Sequence, residues 1–450
     1  MQFELTKDFI AYLKSLIEVQ DVEKILDCFA DAHPADIADI LEQLTNEEAN
    51  YVFLQFQPTM EANILVELED EQLDRLLAVI PAEIIATDLI EKMDSDDATD
   101  ILQMLPERIK TEVLAKMSDK EQASDIADLL DYDENTAGGL MATELVRVNK
   151  NWNVQKCILE IRKQSDEVEN LMNVYVVDDE DVLVGILPIA RLVLAGESAV
   201  VGDIFDETAL SVPTNMPSEE VANLMDKYGL FVVPVVDSLN RLKGRITIDD
   251  VVDVIREEAE KDYQMQAGLT QDVDDNDSVI RQTMARLPWL FVGLLGGILS
   301  SRVIGIFEGD IAKNASLTLF LPLLAAMGGN VGVQSSSIMV QSIAGGTLKL
   351  TSIWTKILRE LLGGLLIGAI CSIVLSLYNL MAGNDLHLTA VVSFSLLVII
   401  VFASLFGTFV PLILERCKID PAIATGPFVT TTNDIVCCLL YFSIARCLLM

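Results

Sequence analysis

The sequence predicts a multidomain membrane protein: an acidic helical part, then an α/β part, then a bundle of five membrane helices. Three observations predict it. The chain has 450 residues, is 51% hydrophobic and carries a formal charge of -38. The last two figures are compatible only if charge and apolar residues are segregated along the chain, and they are. From Arg286 onward there are nine Lys/Arg and seven Asp/Glu, whereas the residues before it hold 22 basic and 62 acidic side chains. The third observation is that five apolar stretches in the near-neutral remainder each reach the roughly 20 residues a membrane helix needs. A soluble part this acidic repels nucleic acid and anionic membrane surfaces and attracts divalent cations.

Residues 1–135 form the predicted all-α, superhelical N-terminal domain. Asp36-Ile-Ala-Asp-Ile-Leu41, Asp97-Ala-Thr-Asp-Ile-Leu102 and Asp125-Ile-Ala-Asp-Leu-Leu130 share one pattern. Each sets apolar side chains on one helical face and acids on another. Recurrence of such units suggests stacked helical hairpins. The acids read as a solvated face. The dense run Asp94-Ser-Asp-Asp97 is the exception, a place for a bridging cation, although it lacks the Gly and terminal Glu of an EF-hand loop. Tyr132 to Met141, with Asn135 and paired glycines, reads as a linker.

A second repeat follows. Val174-Tyr-Val-Val-Asp178 and Val233-Pro-Val-Val-Asp237 are β-rich, and Gly185 and Gly244 follow at the same distance. Helices are expected over Val154 to Lys163 and Glu219 to Tyr228. This unit resembles a tandem pair of cystathionine-β-synthase-type (CBS) domains, placed at 136–200 and 201–257. In that family a Gly-x-x-Thr-x-x-Asp ending contacts a nucleotide ribose. Here it is intact in the second copy as Gly244, Thr247 and Asp250, while the first has Pro188 and Arg191. The resemblance leaves ATP at the pair open. Residues 258–284 are expected to form a connecting helix, read either as a solvated connector or as a lever to the membrane.

Membrane spans are expected near 287–307, 317–345, 354–380, 388–414 and 421–447, within a domain of residues 285–450. Lys349, Lys356, Arg359, Arg416 and Lys418 fall on loops and flanks of one side. The other side has only Lys313, with no Lys or Arg in Met381 to His387. That bias leads us to expect the N-terminus inside, and with no targeting address beyond the spans a multi-pass protein of a bacterial plasma membrane is expected. The last span carries Asp434 near its middle, after Thr430, Thr431, Thr432 and Asn433. An ionisable side chain at that depth costs roughly 3 kcal/mol on insertion scales. It faces protein, water or a cation, and a hydrogen-bonded packing aspartate stands beside the cation reading. Carboxylate, amide and hydroxyl oxygens suit hard cations such as Mg²⁺ and Ca²⁺. The second span is interrupted by Pro322, by Gly328, Gly329 and Gly332, and by a polar patch from Asn330 to Gln334, as where backbone approaches backbone or lines water.

Other chemistry is disfavoured. Seven scattered cysteines form neither a metal spacing nor a disulfide framework, and His33 and His387 are the only histidines. The opening Met-Gln-Phe-Glu-Leu-Thr-Lys-Asp has no basic segment leading into an apolar one, so no secretory signal is expected. There is no nucleophile–base pair or phosphate loop to suggest an enzyme.

The order of parts, with Pro322-Leu-Leu-x-x-Met-Gly-Gly-Asn330-x-Gly-x-Gln334-Ser and Asp420-Pro-Ala-x-x-x-Gly-Pro-Phe-x-Thr-Thr-x-x-Asp434, resembles the MgtE magnesium transporter/channel family over essentially the whole chain. The resemblance implies a homodimer whose pore is lined by the second and fifth spans, with Asp434 holding hydrated Mg²⁺. Asn330, Gly328, Gly329, Thr430 and Thr431 are the implied lining groups. It also implies regulatory Mg²⁺ sites at Asp94, Glu219, Asp250, Asp253, Glu258 and Asp262, with Asp420 at the pore mouth. Lys261 stands where a further acid is expected. High internal Mg²⁺ would bridge the acidic faces and close the pore. A CBS-regulated transporter for another divalent cation or solute is the alternative, and channel versus alternating access is not fixed.

Overall fold

The computed structural model describes residues 6–164, 171–197, 199–271, 273, 278–344, 353–424 and 426–449. The chain divides into two compact units, Met1–Ile255 and Arg256–Met450.

The first unit opens with short amphipathic helices. Pro34–Glu42, Lys120–Leu129 and α1 (Ser95–Met104) carry the three repeated hexads, and each buries its apolar residues: Ile37, Ile40 and Leu41; Ile101 and Leu102; Ile126 and Leu129. Side-chain caps set several helix starts, with a reciprocal capping box at Thr45 and Glu48. Apart from Leu129, which packs with the later α/β part, these buried faces merge into one core running from Leu13 to Ile126.

Two three-stranded sheets follow, built alike. In the first, β1 (Arg147–Asn149) runs parallel to β2 (Asn173–Val177), which pairs antiparallel with β3 (Leu183–Pro188). In the second, β4 (Val212–Pro213), β5 (Val232–Val236) and β6 (Leu242–Thr247) repeat the order. The register places Gly185 opposite Val176 and Gly244 opposite Val235, with an irregularity at the next residue in both. The reason for glycine is steric. A Cβ on Gly185 would fall onto the Asp206 carbonyl, and one on Gly244 would lie 2.6 Å from the Ala142 carbonyl. In each copy, main chain crosses main chain there.

The segment expected to be a linker is packed instead. Ala137 and Met141 are buried in the core of the second sheet's repeat, and Ala142 bridges to Arg245. Conversely, Val201, Ile204 and Phe205 pack with the first sheet's repeat, and Asp206 bridges to Ile186. Gly-Gly here serves close approach, Gly138 against the Tyr132 ring and Gly139 against main chain at Asp133 and Glu134, rather than looseness.

The expected connecting helix over 258–284 is in two pieces. The division between the units falls within α2 (Ile248–Ala267), which ends at Gly268 with φ +87°. A new helix starts at Val279. Most of the acidic run between them, and Lys349, lie outside the described residues.

Among the described residues, five helices are long and apolar enough to cross a membrane: α3 (Val279–Ile306), α4 (Leu321–Ala344), α5 (Ile353–Met381), α6 (Leu386–Arg416) and α7 (Pro427–Leu449). α4 packs against α6 and α7, α3 against α7, and α5 against α6. Main chain meets main chain where α4 crosses α6: a Cβ on Gly407 would fall onto the Gly332 carbonyl. On α3, Gly296 meets Thr431 of α7, whereas a Cβ on Gly293 or Gly297 would meet nothing within 4 Å.

Candidate functional site

In the second unit, Ala325, Ala326, Gly329, Asn330, Val333 and Gln334 of α4 line a cavity of about 500 Å³ with Thr430 and Asp434 of α7. Asp434 is therefore a carboxylate at a cavity rather than one sealed among packed side chains. Of the lining groups expected from sequence, Asn330, Gly329 and Thr430 stand at the cavity with Asp434. Gly328 and Thr431 are not among its lining residues. Gly328 is buried and its carbonyl accepts from Asn433 Nδ2 at 3.3 Å, while Thr431 packs on Gly296. Gln334 lines the cavity and went unassigned, although it lies one turn from Asn330 on the same helical face.

Toward the start of this unit, Lys261 Nζ is 3.0 Å from Glu258 Oε1. The Glu258 hydrogen bond raises the Lys261 pKa, and the nearby charges of Asp420 and Asp262 act in the same direction. The ammonium group is thus paired with Glu258 and lies within the electrostatic reach of Asp420 and Asp262. Asp420 Oδ1 also accepts from the Ala422 N–H at 2.8 Å, closing the turn that precedes α7.

In the first unit, the carboxylates of Asp94, Asp96 and Glu144 have oxygens all within 4.8 Å of one another. Ser95, fully buried, holds this arrangement together. Its hydroxyl donates to Glu144 Oε2 at 2.9 Å and accepts from the Thr143 N–H at 2.8 Å. Burial pushes Asp97 up to about 7, with Asp250 and Asp94 adding to the shift. Burial likewise lifts Asp96 well above the usual carboxylate range, Asp250 and Asp97 contributing. Asp250 itself is raised by burial, against the hydrogen bonds from Thr247. So the helix α1 run and Asp250 share one electrostatic environment, as three acids that resist ionising together. Asp96, Asp97 and Glu144 were not assigned individually by the sequence; the Asp94–Asp97 run was the signal for the first two, and Glu144 lies far from it in sequence.

Thr247 and Asp250 are also a helix cap. Asp250 Oδ2 accepts from the Thr247 N–H at 3.0 Å and from its hydroxyl at 2.6 Å. Asp253 is exposed one turn further along α2, and Glu219 is exposed in the first turn of Ser218–Tyr228.

Family profiles match three stretches: the MgtE divalent cation transporter domain at 321–444, the MgtE intracellular N domain at 32–135 and a CBS domain at 201–257. The magnesium transporter MgtE of Enterococcus faecalis is 33% identical over 72% of this chain and 72% of its own. The chain belongs to the MgtE family of magnesium transporters. MgtE of Thermus thermophilus is similar to the same degree, 34% identical over 72% of this chain and 73% of its own. Among solved structures, the cytosolic domain of the Mg²⁺ channel MgtE in complex with ATP is 28% identical, with a TM-score of 0.51, covering 54% of this chain and 99% of that one. MgtE proteins are transporters and not enzymes. With five apolar helices in its second unit, this MgtE-family chain is a multi-pass membrane protein.

Proposed function

We propose that the chain moves Mg²⁺ across the cell membrane along the cavity between α4 and α7, as a homodimer that intracellular Mg²⁺ closes. The observation that carries this is the meeting of Asp434, Asn330 and Thr430 at one cavity among membrane helices. Mg²⁺ sheds water reluctantly and is usually held by one or two carboxylates with several waters retained. Six waters at roughly 30 Å³ each occupy about 180 Å³. A cavity of about 500 Å³ has room for the hydrated ion. One chain supplies one carboxylate, and a two-fold partner supplies the second of a cation-selective ring. Lys356, Arg359, Arg416 and Lys418 on one side favour a cytoplasmic N-terminus.

Closure follows from charge. Mg²⁺ at the Asp94–Asp96–Glu144 cluster, and at Asp250, Asp253, Glu219, Glu258, Asp262 and Asp420, stabilises the closed arrangement. It shifts the equilibrium only because it binds that state better. Neutralising Asp250, Asp253 and Asp262 together should abolish the dependence of gating on internal Mg²⁺; an unchanged dependence refutes the sensor. ATP at the second CBS copy is a separate proposal. It is supported by the intact Gly244, Thr247 and Asp250 and by the ATP held by the similar cytosolic domain. Titration of ATP against wild type and Thr247→Ala tests it.

The decisive experiment is Mg²⁺ uptake into proteoliposomes by wild type and Asp434→Ala. Wild type should conduct and the variant should not, while remaining folded. Equal uptake by both would make Asp434 a packing residue and move the path elsewhere.

A further inference from the structure

A second carboxylate lies within the membrane helices. Glu360 stands about two turns into α5 and is half-buried. A carboxylate on a membrane helix needs partners, and Glu360 has two, on two other helices. The Ser404 hydroxyl of α6 donates to Glu360 Oε2 at 2.9 Å, and the Ser335 hydroxyl of α4 donates to the same oxygen at 3.3 Å. The two serine oxygens are themselves 3.3 Å apart. Both serines are buried, at 6% and 2% exposure for Ser335 and Ser404.

The placement matters because Ser335 follows Gln334, a cavity residue. With about 3.6 residues per turn, the lining positions from Ala325 to Gln334 share one side of α4 and Ser335 points from the opposite side. One turn before it, Gly332 meets Gly407 of α6. α4 is therefore held from behind twice: by contact at Gly332, which fixes distance, and by Glu360, which fixes rotation.

We propose that Glu360 is a positioning residue of the ion path, setting the rotation of α4 so that Asn330 and Gln334 stand at the cavity opposite Asp434. This rests on the reading of that cavity as the path. Both hydroxyls converge on one carboxylate oxygen, so an amide oxygen can replace it. Charge and acceptor are thereby separable.

The test measures Mg²⁺ uptake and the Mg²⁺:Ca²⁺ uptake ratio in proteoliposomes of the full chain. The variants are Glu360→Gln, Glu360→Leu, Ser335→Ala and Ser335→Ala/Ser404→Ala, each checked for monodispersity and thermal midpoint. Glu360→Leu should lose uptake roughly tenfold, the scale of one charge-assisted hydrogen bond, and its ion ratio should shift. Glu360→Gln should recover at least half of the wild-type rate and the wild-type ratio. The serine double variant should match Glu360→Leu, and combining them should add little. If Glu360→Gln is as damaged as Glu360→Leu, the charge and not the fastening matters, and the proposal fails. It fails equally if folded Ser335→Ala and Glu360→Leu keep wild-type rate and ratio while Asp434→Ala is inactive. Wild-type uptake by Asp434→Ala would instead remove the path reading itself.

Discussion

The acids around α1 should make the first unit lose stability as pH rises, which is opposite to the behaviour of salt-bridged carboxylates. Asp97 titrates near 3.8 when unperturbed and is lifted to about 7 in the fold. Between those values the folded unit holds a proton that the unfolded chain has released, so stability falls with rising pH and levels off above the folded value. Raising pH from about 6 to about 8 crosses that folded value and costs roughly 1.4 kcal/mol from Asp97 alone. Asp96 and Asp250 are raised too and push the same way. The assay is urea denaturation of a fragment ending at Ile255, at both pH values, with chelator or with saturating Mg²⁺. The chelated protein should lose at least that amount at the higher pH. Mg²⁺ should restore it, because the ion binds the ionised acids and displaces their protons. Asp97→Asn should flatten the pH dependence and weaken the Mg²⁺ effect. A pH-independent midpoint without Mg²⁺, or a slope unchanged in Asp97→Asn, would refute the assignment of a shared buried acid cluster.

Further outcomes follow from local geometry. Lys261→Gln removes the ammonium paired with Glu258 and felt by Asp262 and Asp420, so it should raise Mg²⁺ affinity there, seen as gating at lower internal Mg²⁺. Gly407→Ala drives a methyl group onto the Gly332 carbonyl and should destabilise the membrane unit by roughly 1–3 kcal/mol, read as a lower thermal midpoint in detergent. Arg446→Ala takes a partner 2.8 Å away from the buried Asp310. It should lower that midpoint, and Asp310→Asn in the same background should recover part of the loss.

Periodicity and composition made the coarse design legible. Apolar length alone located the five spans, and the hexad pattern located three N-terminal helices whose buried residues are the expected ones. What stayed hidden was pairing at a distance. Nothing near Glu144 in sequence says that Ser95 reaches it, and Glu360 follows Arg359 in a helix whose sequence resembles an interfacial flank. Gly138 and Gly139 read as flexible because sequence shows the missing side chain and not the neighbour that requires its absence. At the cavity, helical spacing from Asn330 was enough to point to Gln334 as well, though it went unassigned, while Thr430 and Thr431 are adjacent and only the fold tells which one turns inward.

The exchange of flanking segments between the two sheets has a consequence for how they arise. Residues 136–142 enter the core of the later sheet before the earlier one is reached along the chain, and 199–206 return to the earlier one. Neither half is complete without chain from beyond its own strands. Cut between residues 200 and 201, the pair should not yield two small soluble domains but two fragments, each with an unfilled core. On a ribosome, residues 136–142 have no home until β4 to β6 have emerged. The two halves are thus expected to gain order in one step, late in synthesis of this part, and to lose it together.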